Sequence, residues 1–188
     1  MADCFENTPY EDISICPNEE VQAGLSPFAY FLPAAFVQTF TLPVLSETST
    51  LEQMGTIEAD IVPITGKGFM KLDLQVDLNS VTTNLVGNKG NKKDSSTLTI
   101  FVPGTKAKVL GFKKLYKNVP GIWVVPDNNG KFFVVGTDKQ PAYIDNLEIT
   151  TGTTNEDNNG GTGTIISNSN LYEYTGDITL IPVEEQGG

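Results

Sequence analysis

A mainly β domain with one packed helix is the fold class that this 188-residue sequence predicts. Three observations predict it. Residues 121–136 form two runs of β-branched and aromatic residues around Asp127-Asn128-Asn129-Gly130, where Asn and Gly tolerate the positive φ of a tight hairpin turn. Apolar and polar residues alternate with period two over 56–61 and again over 70–79. The chain holds 18 glycines and 11 prolines beside an apolar set rich in β-formers, as expected of short strands joined by many turns. The hairpin has a further implication. Ile122 and Val124 share one side and Trp123 and Val125 the other; Phe132 and Val134 oppose Phe133 and Val135 in the same manner. Both faces are apolar, so the second must be covered by a helix of the same chain or by another subunit.

Taken in order, residues 1–22 are expected to be an extended acidic arm; the first twenty hold six carboxylates and no Lys. A single domain is expected over 23–182, and a frayed acidic tail over 183–188. Phe28–Leu32 and Phe36–Leu42 are short extended runs punctuated by Pro27, Pro33 and Pro43, which suit edges or bends. Ile57, Ala59 and Ile61 are expected to face inward, against Thr56, Glu58 and Asp60 outward. After a turn at Thr65–Gly68, Met70, Leu72, Leu74, Val76 and Leu78 face inward, against Lys71, Asp73, Gln75, Asp77 and Asn79 outward. Two half-buried antiparallel strands with an acidic outer face explain this pattern. Residues 80–96 read as a long polar loop with Gly87-Asn-Lys-Gly-Asn-Lys-Lys at its tip, and loops of that length are usually functional. A strand follows with Leu98, Ile100 and Val102 on one side. The one helix is expected over 105–117, with Thr105 as N-cap, Val109, Phe112 and Tyr116 at helical spacing, and lysines in its last turn. Strands are expected again at 142–151 and around Tyr172–Leu180.

The ionisable inventory excludes several function classes. All 12 basic residues are Lys, there is no His, and 23 carboxylates leave a net charge of −11. Duplex binding requires dense positive charge and favours Arg. Without His, the commonest general base and metal ligand is missing. Cys4 and Cys16 alone cannot complete a four-ligand Cys/His zinc site. No spacing points to catalytic residues, a metal site or a cofactor, and the chain reads as a non-enzyme. The N-terminus has no secretory signal, and the longest apolar stretch, Pro27–Val37, falls short of the ~20 residues of a membrane span. Folding in a cytoplasm, with no membrane partner, is the expectation.

Three motifs fail on inspection. Asn155-Glu-Asp-Asn-Asn-Gly160 resembles the start of a calcium loop, yet its first ligand is Asn and the twelfth position is Ile166, not Glu. Gly160-Gly161-Thr162-Gly163 lacks the Lys-Ser/Thr of a phosphate loop and precedes a strand. Trp123, inside an apolar hairpin, fits a core better than a sugar platform. A carbohydrate-binding sandwich using Trp123 and Tyr172 is the alternative from a different function class.

Charge is segregated: eight of the twelve lysines fall between residues 89 and 117, while the first twenty residues and the 56–79 segment are acidic. A basic patch and an acidic patch on one molecule favour head-to-tail self-association, the contact that makes rings and filaments.

In this setting three segments resemble the tail tube (major tail) proteins of tailed bacteriophages, particularly of the Bacteroidetes-phage type. They are Cys16-Pro-Asn-Glu-Glu-Val-Gln-Ala-Gly24 leading into Phe28–Leu32; the strand, Pro103-Gly104, helix and strand ending in Ile122–Gly136; and Thr151-Gly152-Thr153 followed by Asp157-Asn-Asn-Gly160 and a strand closing near Pro182. The resemblance covers about half the chain. It implies an antiparallel β-sandwich or barrel with one packed helix, and six copies per ring, stacked into a hollow tube in the virion tail that conducts double-stranded DNA without specific binding. It also implies an arm and a long loop reaching neighbouring subunits. The implied partners are copies of the chain, tail-completion, tape-measure and baseplate proteins, and a sheath in a contractile tail; a head-decoration or baseplate protein is the alternative within the virion. Under this reading Glu58, Asp60, Lys71, Asp73, Gln75 and Asp77 line the lumen, where a wall rich in carboxylates would not hold phosphate. Trp123, Val125, Phe133 and Val135, with Lys89, Lys92 and Lys93 of the loop, would form subunit contacts.

Overall fold

A computed structural model describes residues 8–14, 17–18 and 20–182 of the chain. Cys4, Cys16 and the expected tail at 183–188 lie outside the described residues. The fold is mainly β. The strands are β1 (Phe28–Pro33), β2 (Val37–Thr39), β3 (Thr56–Ile57), β4 (Val62–Pro63), β5 (Met70–Asp73), β6 (Ser80–Val86), β7 (Lys93–Pro103), β8 (Gly121–Pro126), β9 (Phe132–Val135), β10 (Tyr143–Thr150), β11 (Gly160–Ser167) and β12 (Tyr172–Tyr174). The α-helices are α1 (Leu51–Gly55) and α2 (Ala107–Tyr116), and a 3-10 turn, Ala34–Phe36, joins β1 to β2. A six-stranded sheet runs β3-β12-β9-β8-β1-β5 and a four-stranded sheet β10-β11-β7-β6. Strands β2 and β4 form a separate pair. The two larger sheets make a sandwich-like packing, with no closed barrel.

The β8–β9 hairpin sits in the middle of the larger sheet, as its two apolar faces require. Asp127 organises its turn: the Asp127 carboxylate accepts from the N–H groups of Asn129 and Lys131, and Gly130 alone in the turn takes positive φ, +85°. One face, with Trp123, Val125 and Val135, packs on Leu98 and Ile100 of β7, Ile165 of β11, and the aromatic side chains of α2. The ring of Phe31 lies between them, 4.7 Å from Trp123 and edge-on to Phe112 and Tyr116. Gly121 permits this: a Cβ there would fall 2.2 Å from the Phe31 ring. The other face, with Ile122, Val124 and Val134, is covered by Ile57, Ile61 and Phe69, with Phe36, Phe40 and Leu42 packed against them. The cover expected from a helix or a second subunit is thus supplied by the same chain on both faces. The second face is closed largely by a segment with little regular structure.

Several expectations are corrected. Residues 56–61 and 70–79 do not pair with each other. β3 pairs in parallel with β12, and β5 pairs with β1, so the two lie at opposite edges of the six-stranded sheet. Ile57, Ile61 and Leu74 are buried as expected, but Ala59, Val76 and Leu78 are exposed and Asn79 is buried. The Asn79 side chain accepts from the Phe101 N–H and donates to the Gln75 carbonyl, which satisfies its buried amide. The expected loop at 80–96 is instead a hairpin, β6 with β7, turning at 87–92. Helix α2 begins after Lys106, not Thr105, and no side chain caps it. The glycines at 160, 161 and 163 lie within β11 rather than before it. Helix α1 has no counterpart in the sequence reading, although its capping box, Thr50 with Gln53, is legible there.

Tyr174 ties the second core to its cover. Its hydroxyl accepts from the Ile61 N–H at 3.0 Å and donates to the Asp177 carbonyl at 2.7 Å. Burial pushes the Tyr174 hydroxyl pKa up, so this contribution is present below the ordinary tyrosine range and lost as pH rises through the raised value. Tyr174→Phe keeps the ring but strands the Ile61 N–H. It should cost about 1–3 kcal/mol, read as a lower urea midpoint at unchanged slope.

Candidate assembly surfaces

The residues expected to line a lumen do not form one wall. Glu58 and Asp60 follow β3 at one edge of the larger sheet, and Lys71 and Asp73 lie on β5 at the other, with four strands between them. All four are exposed. The Asp60 carboxylate accepts from the Asp177 N–H at 2.8 Å, holding the C-terminal run against β3. Lys71 sits 4.0 Å from Asp73 and over the Phe28 ring. Gln75 is half-buried, and its N–H donates to the Phe101 carbonyl, which turns the chain from the larger sheet toward the smaller. Asp77 is exposed at φ +63°, a turn conformation that Asp tolerates. The expected alternation holds at Ile57, Ile61 and Leu74 but fails at Ala59, Val76, Leu78 and Asn79, and the pairing it implied does not form, so 56–79 does not make a continuous acidic wall.

The expected apolar interface is also corrected. Trp123, Val125 and Val135 have no exposed surface, and Phe133 is half-buried against the same core. They face the second sheet and α2 of their own chain, so no neighbour can reach them in this conformation. The same burial removes Trp123 as a sugar platform, while Tyr172 is half-buried in the second core. Lys89, Lys92 and Lys93, by contrast, are exposed at the end of the β6–β7 hairpin, where the Lys92 ammonium donates to the Gly87 carbonyl at 2.6 Å.

That hairpin is the feature the sequence reading missed. Its residues from Thr82 to Lys93 are exposed on both faces, including Leu85 at 65% and Val86 at 44%. Strands β6 and β10 are the two edges of the four-stranded sheet. Register puts Ser80, Thr82 and Asn84 of β6, Thr97 and Thr99 of β7, Thr162 and Thr164 of β11, and Asn146 and Glu148 of β10 on its outer face, together with Val86, Ser95, the half-buried Ile166 and the buried Phe101. This face is rich in hydroxyls, and its only lysine is Lys93 at the hairpin end. Beneath it Gly163 lets Ile100 and Leu147 close on the strand.

At the far end of the sheet, the loop after β10 is fixed by Asp157, whose carboxylate accepts from the N–H groups of Thr154 and Thr153 at 2.7 and 2.8 Å. These bonds hold the Asp157 pKa below its ordinary value. A lowered carboxylate pKa stabilises above the unfolded value, about 3.9, and is lost as pH falls through the lowered one. In a pH titration followed by NMR, the Thr153 and Thr154 amides should move with a midpoint below the ordinary Asp value. A midpoint at or above that value would contradict the assignment.

Two adjoining clefts of about 490 and 440 Å³ flank β5 and share Met70 and Ile181. The larger is lined by Pro33, Phe36 and Tyr116, the smaller by Leu72, Val109 and Phe112 with Lys106 and Lys108 at its rim. Among the described residues, no group of three or more metal-ligating side chains converges, and no helix is long and apolar enough to cross a membrane. Ser96, Ser167 and Ser169 form a buried hydroxyl cluster, but their bonds run to the carbonyls of Ser169 and Gln140 and to one another, which is a structural clasp. Comparison with protein-family models, with curated proteins and with solved structures finds no match.

Proposed function

We propose that this chain is a structural subunit of a bacteriophage tail tube, assembling head to tail into stacked rings around a conduit for DNA. The observation that carries this reading is the smaller sheet. Its inner face is closed within the chain, whereas its two edges, β6 and β10, and the β6–β7 hairpin are left open by the described residues. Unpaired edges on opposite sides of one sheet favour pairing between copies, and a repeated head-to-tail contact closes as a ring or grows as a filament. The bore is then the outer face of β10-β11-β7-β6, not the 56–79 segment. Hydroxyls with Glu148, and lysine only at the hairpin end, make a surface that wets and passes phosphate without holding it. The sequence resemblance supports the same reading, with a structural rather than catalytic role, a virion location after assembly in the host cytoplasm, and other tail proteins as partners.

Electron microscopy of the full-length protein, both purified and in lysates of expressing cells, tests this. Rings or hollow tubes are expected. A 20 kDa species alone in sedimentation, with neither rings nor tubes in either preparation, overturns it.

A further inference from the structure

The edge of the larger sheet at β5 contains a gap. Leu74 donates its N–H to the Pro27 carbonyl, toward β1. Odd-numbered residues therefore point their backbone groups the other way. Phe69 uses them with Thr179 and Ile181, and the Gln75 N–H reaches the Phe101 carbonyl. Between these, Lys71 and Asp73 point outward with no backbone partner among the described residues. The gap opens onto the 440 Å³ cleft, whose floor is Met70, Leu72, Val102, Val109, Phe112 and Ile181 and whose rim carries Lys106 and Lys108. Further lysines follow on the same helix, Lys113 and Lys114 in its last turn and Lys117 at its C-cap. Open strand edge, apolar floor and basic rim together suit one kind of ligand, an extended acidic segment that adds a strand.

We infer that this cleft receives the N-terminal arm of a second copy of the chain. The arm matches it in chemistry: Tyr10 is fully exposed, Ile13 is 87% exposed, and residues 1–20 hold six carboxylates without Lys. Geometry excludes the arm of the same copy. Asn128 and Asn129 tether the arm at Ala23 and Gln22, and the Glu11 carboxylate accepts from the Leu51 N–H of α1, which leads directly into β3. β3 is the opposite edge of the sheet from β5, roughly 24 Å away across five strand spacings. Among the described residues, the chain's own C-terminal run pairs at this edge only with Phe69, just before β5, between Thr179 and Ile181. Donor and acceptor at opposite edges of one molecule are the arrangement of a repeating head-to-tail contact. In the docked arm Ile13 fills the apolar floor and Asp12 meets Lys106 and Lys108, while Glu11 keeps its bond to Leu51 of its own copy.

This inference rests on the self-assembly reading only in naming a second copy as the source, and it is testable without tubes. The probe is a labelled peptide of residues 1–20, with Ser replacing Cys4 and Cys16, titrated into the full-length chain by fluorescence anisotropy. Saturable binding is expected. It should weaken at least tenfold when the chain carries Lys106→Glu with Lys108→Glu, or when the peptide carries Ile13→Ser, a change that leaves the folded chain untouched. A peptide with Asp12→Lys should recover affinity for the charge-reversed chain. No binding at millimolar peptide, indifference to both variants, or binding only after removal of residues 183–188 overturns the inference, the last by showing that the chain's own tail occupies the cleft. Normal tubes from charge-reversed chains would overturn the docking and leave the tube reading standing. Peptide binding by a chain that never forms tubes or rings would support the docking and overturn the tube.

Discussion

Trp123→Ala should remove a large share of the stability of the free subunit. Trp123 is the one tryptophan and has no exposed surface; it lies tilted against Phe31 between the two sheets. Truncating a buried aromatic costs about 3–5 kcal/mol, because transfer free energy is lost and a cavity remains. Domains of this kind are stable by only about 5–15 kcal/mol, so the variant should melt far earlier or fail to fold. Circular dichroism in urea reads this directly. Trp123→Phe should cost much less: it retains the ring contact and removes the indole N–H, which has no acceptor in the core. In the wild type, tryptophan emission should be blue-shifted and resistant to aqueous quenchers. If Trp123 were instead an interface or sugar-binding residue, Trp123→Ala would leave the monomer stable and its fluorescence quenchable.

The reason for this role was half legible in the sequence. Period-two apolar residues on both sides of 121–136 required two covers, and the hairpin, helix α2 and strands β7 and β10 were readable from local patterns. The identity of the covers was not readable. Ladders such as β1 with β8 or β12 with β9 join segments far apart in sequence, and local periodicity carries no record of partner. The same limit produced the pairing error at 56–79. A turn between two alternating segments suggested a hairpin, yet each segment went to a different edge of the sheet. The burial of Ile57, Ile61 and Leu74 survives that error, because it depends on alternation and not on pairing. The β6–β7 hairpin was missed for another reason. Its end is wet on both faces, so Thr82, Thr83 and Asn84 show no apolar alternation to read. The β-branched residues of 80–86 and the glycines at 87 and 90 were the available signal. Candidate interface residues were misplaced on the same principle: an apolar residue in sequence is a core residue more often than a contact, and only three-dimensional burial separates Trp123 from Leu85.

On the proposed assembly, Leu85→Ser together with Val86→Ser should leave the chain folded and impair the formation of rings and tubes severely. Both side chains project from the end of the hairpin, on opposite faces by alternation, beyond the cover of the chain's own core. As exposed substitutions they should alter monomer stability by no more than about 0.5 kcal/mol each. Buried against neighbours in a ring, apolar side chains of this size contribute about 1.5–3 kcal/mol each. Loss of about 3 kcal/mol per hairpin raises the concentration needed for assembly by roughly two powers of ten. Lys89, Lys92 and Lys93 stand beside them, so converting all three to Glu should instead change the salt dependence of assembly, since screening acts on exposed charge. Light scattering against protein concentration separates the two effects, and urea titration checks that both variants are folded. The hairpin is not an assembly element if the serine variant forms tubes at the wild-type concentration. Contacts between copies would then have to run through the bare edges of β6 and β10 and the cleft beside β5.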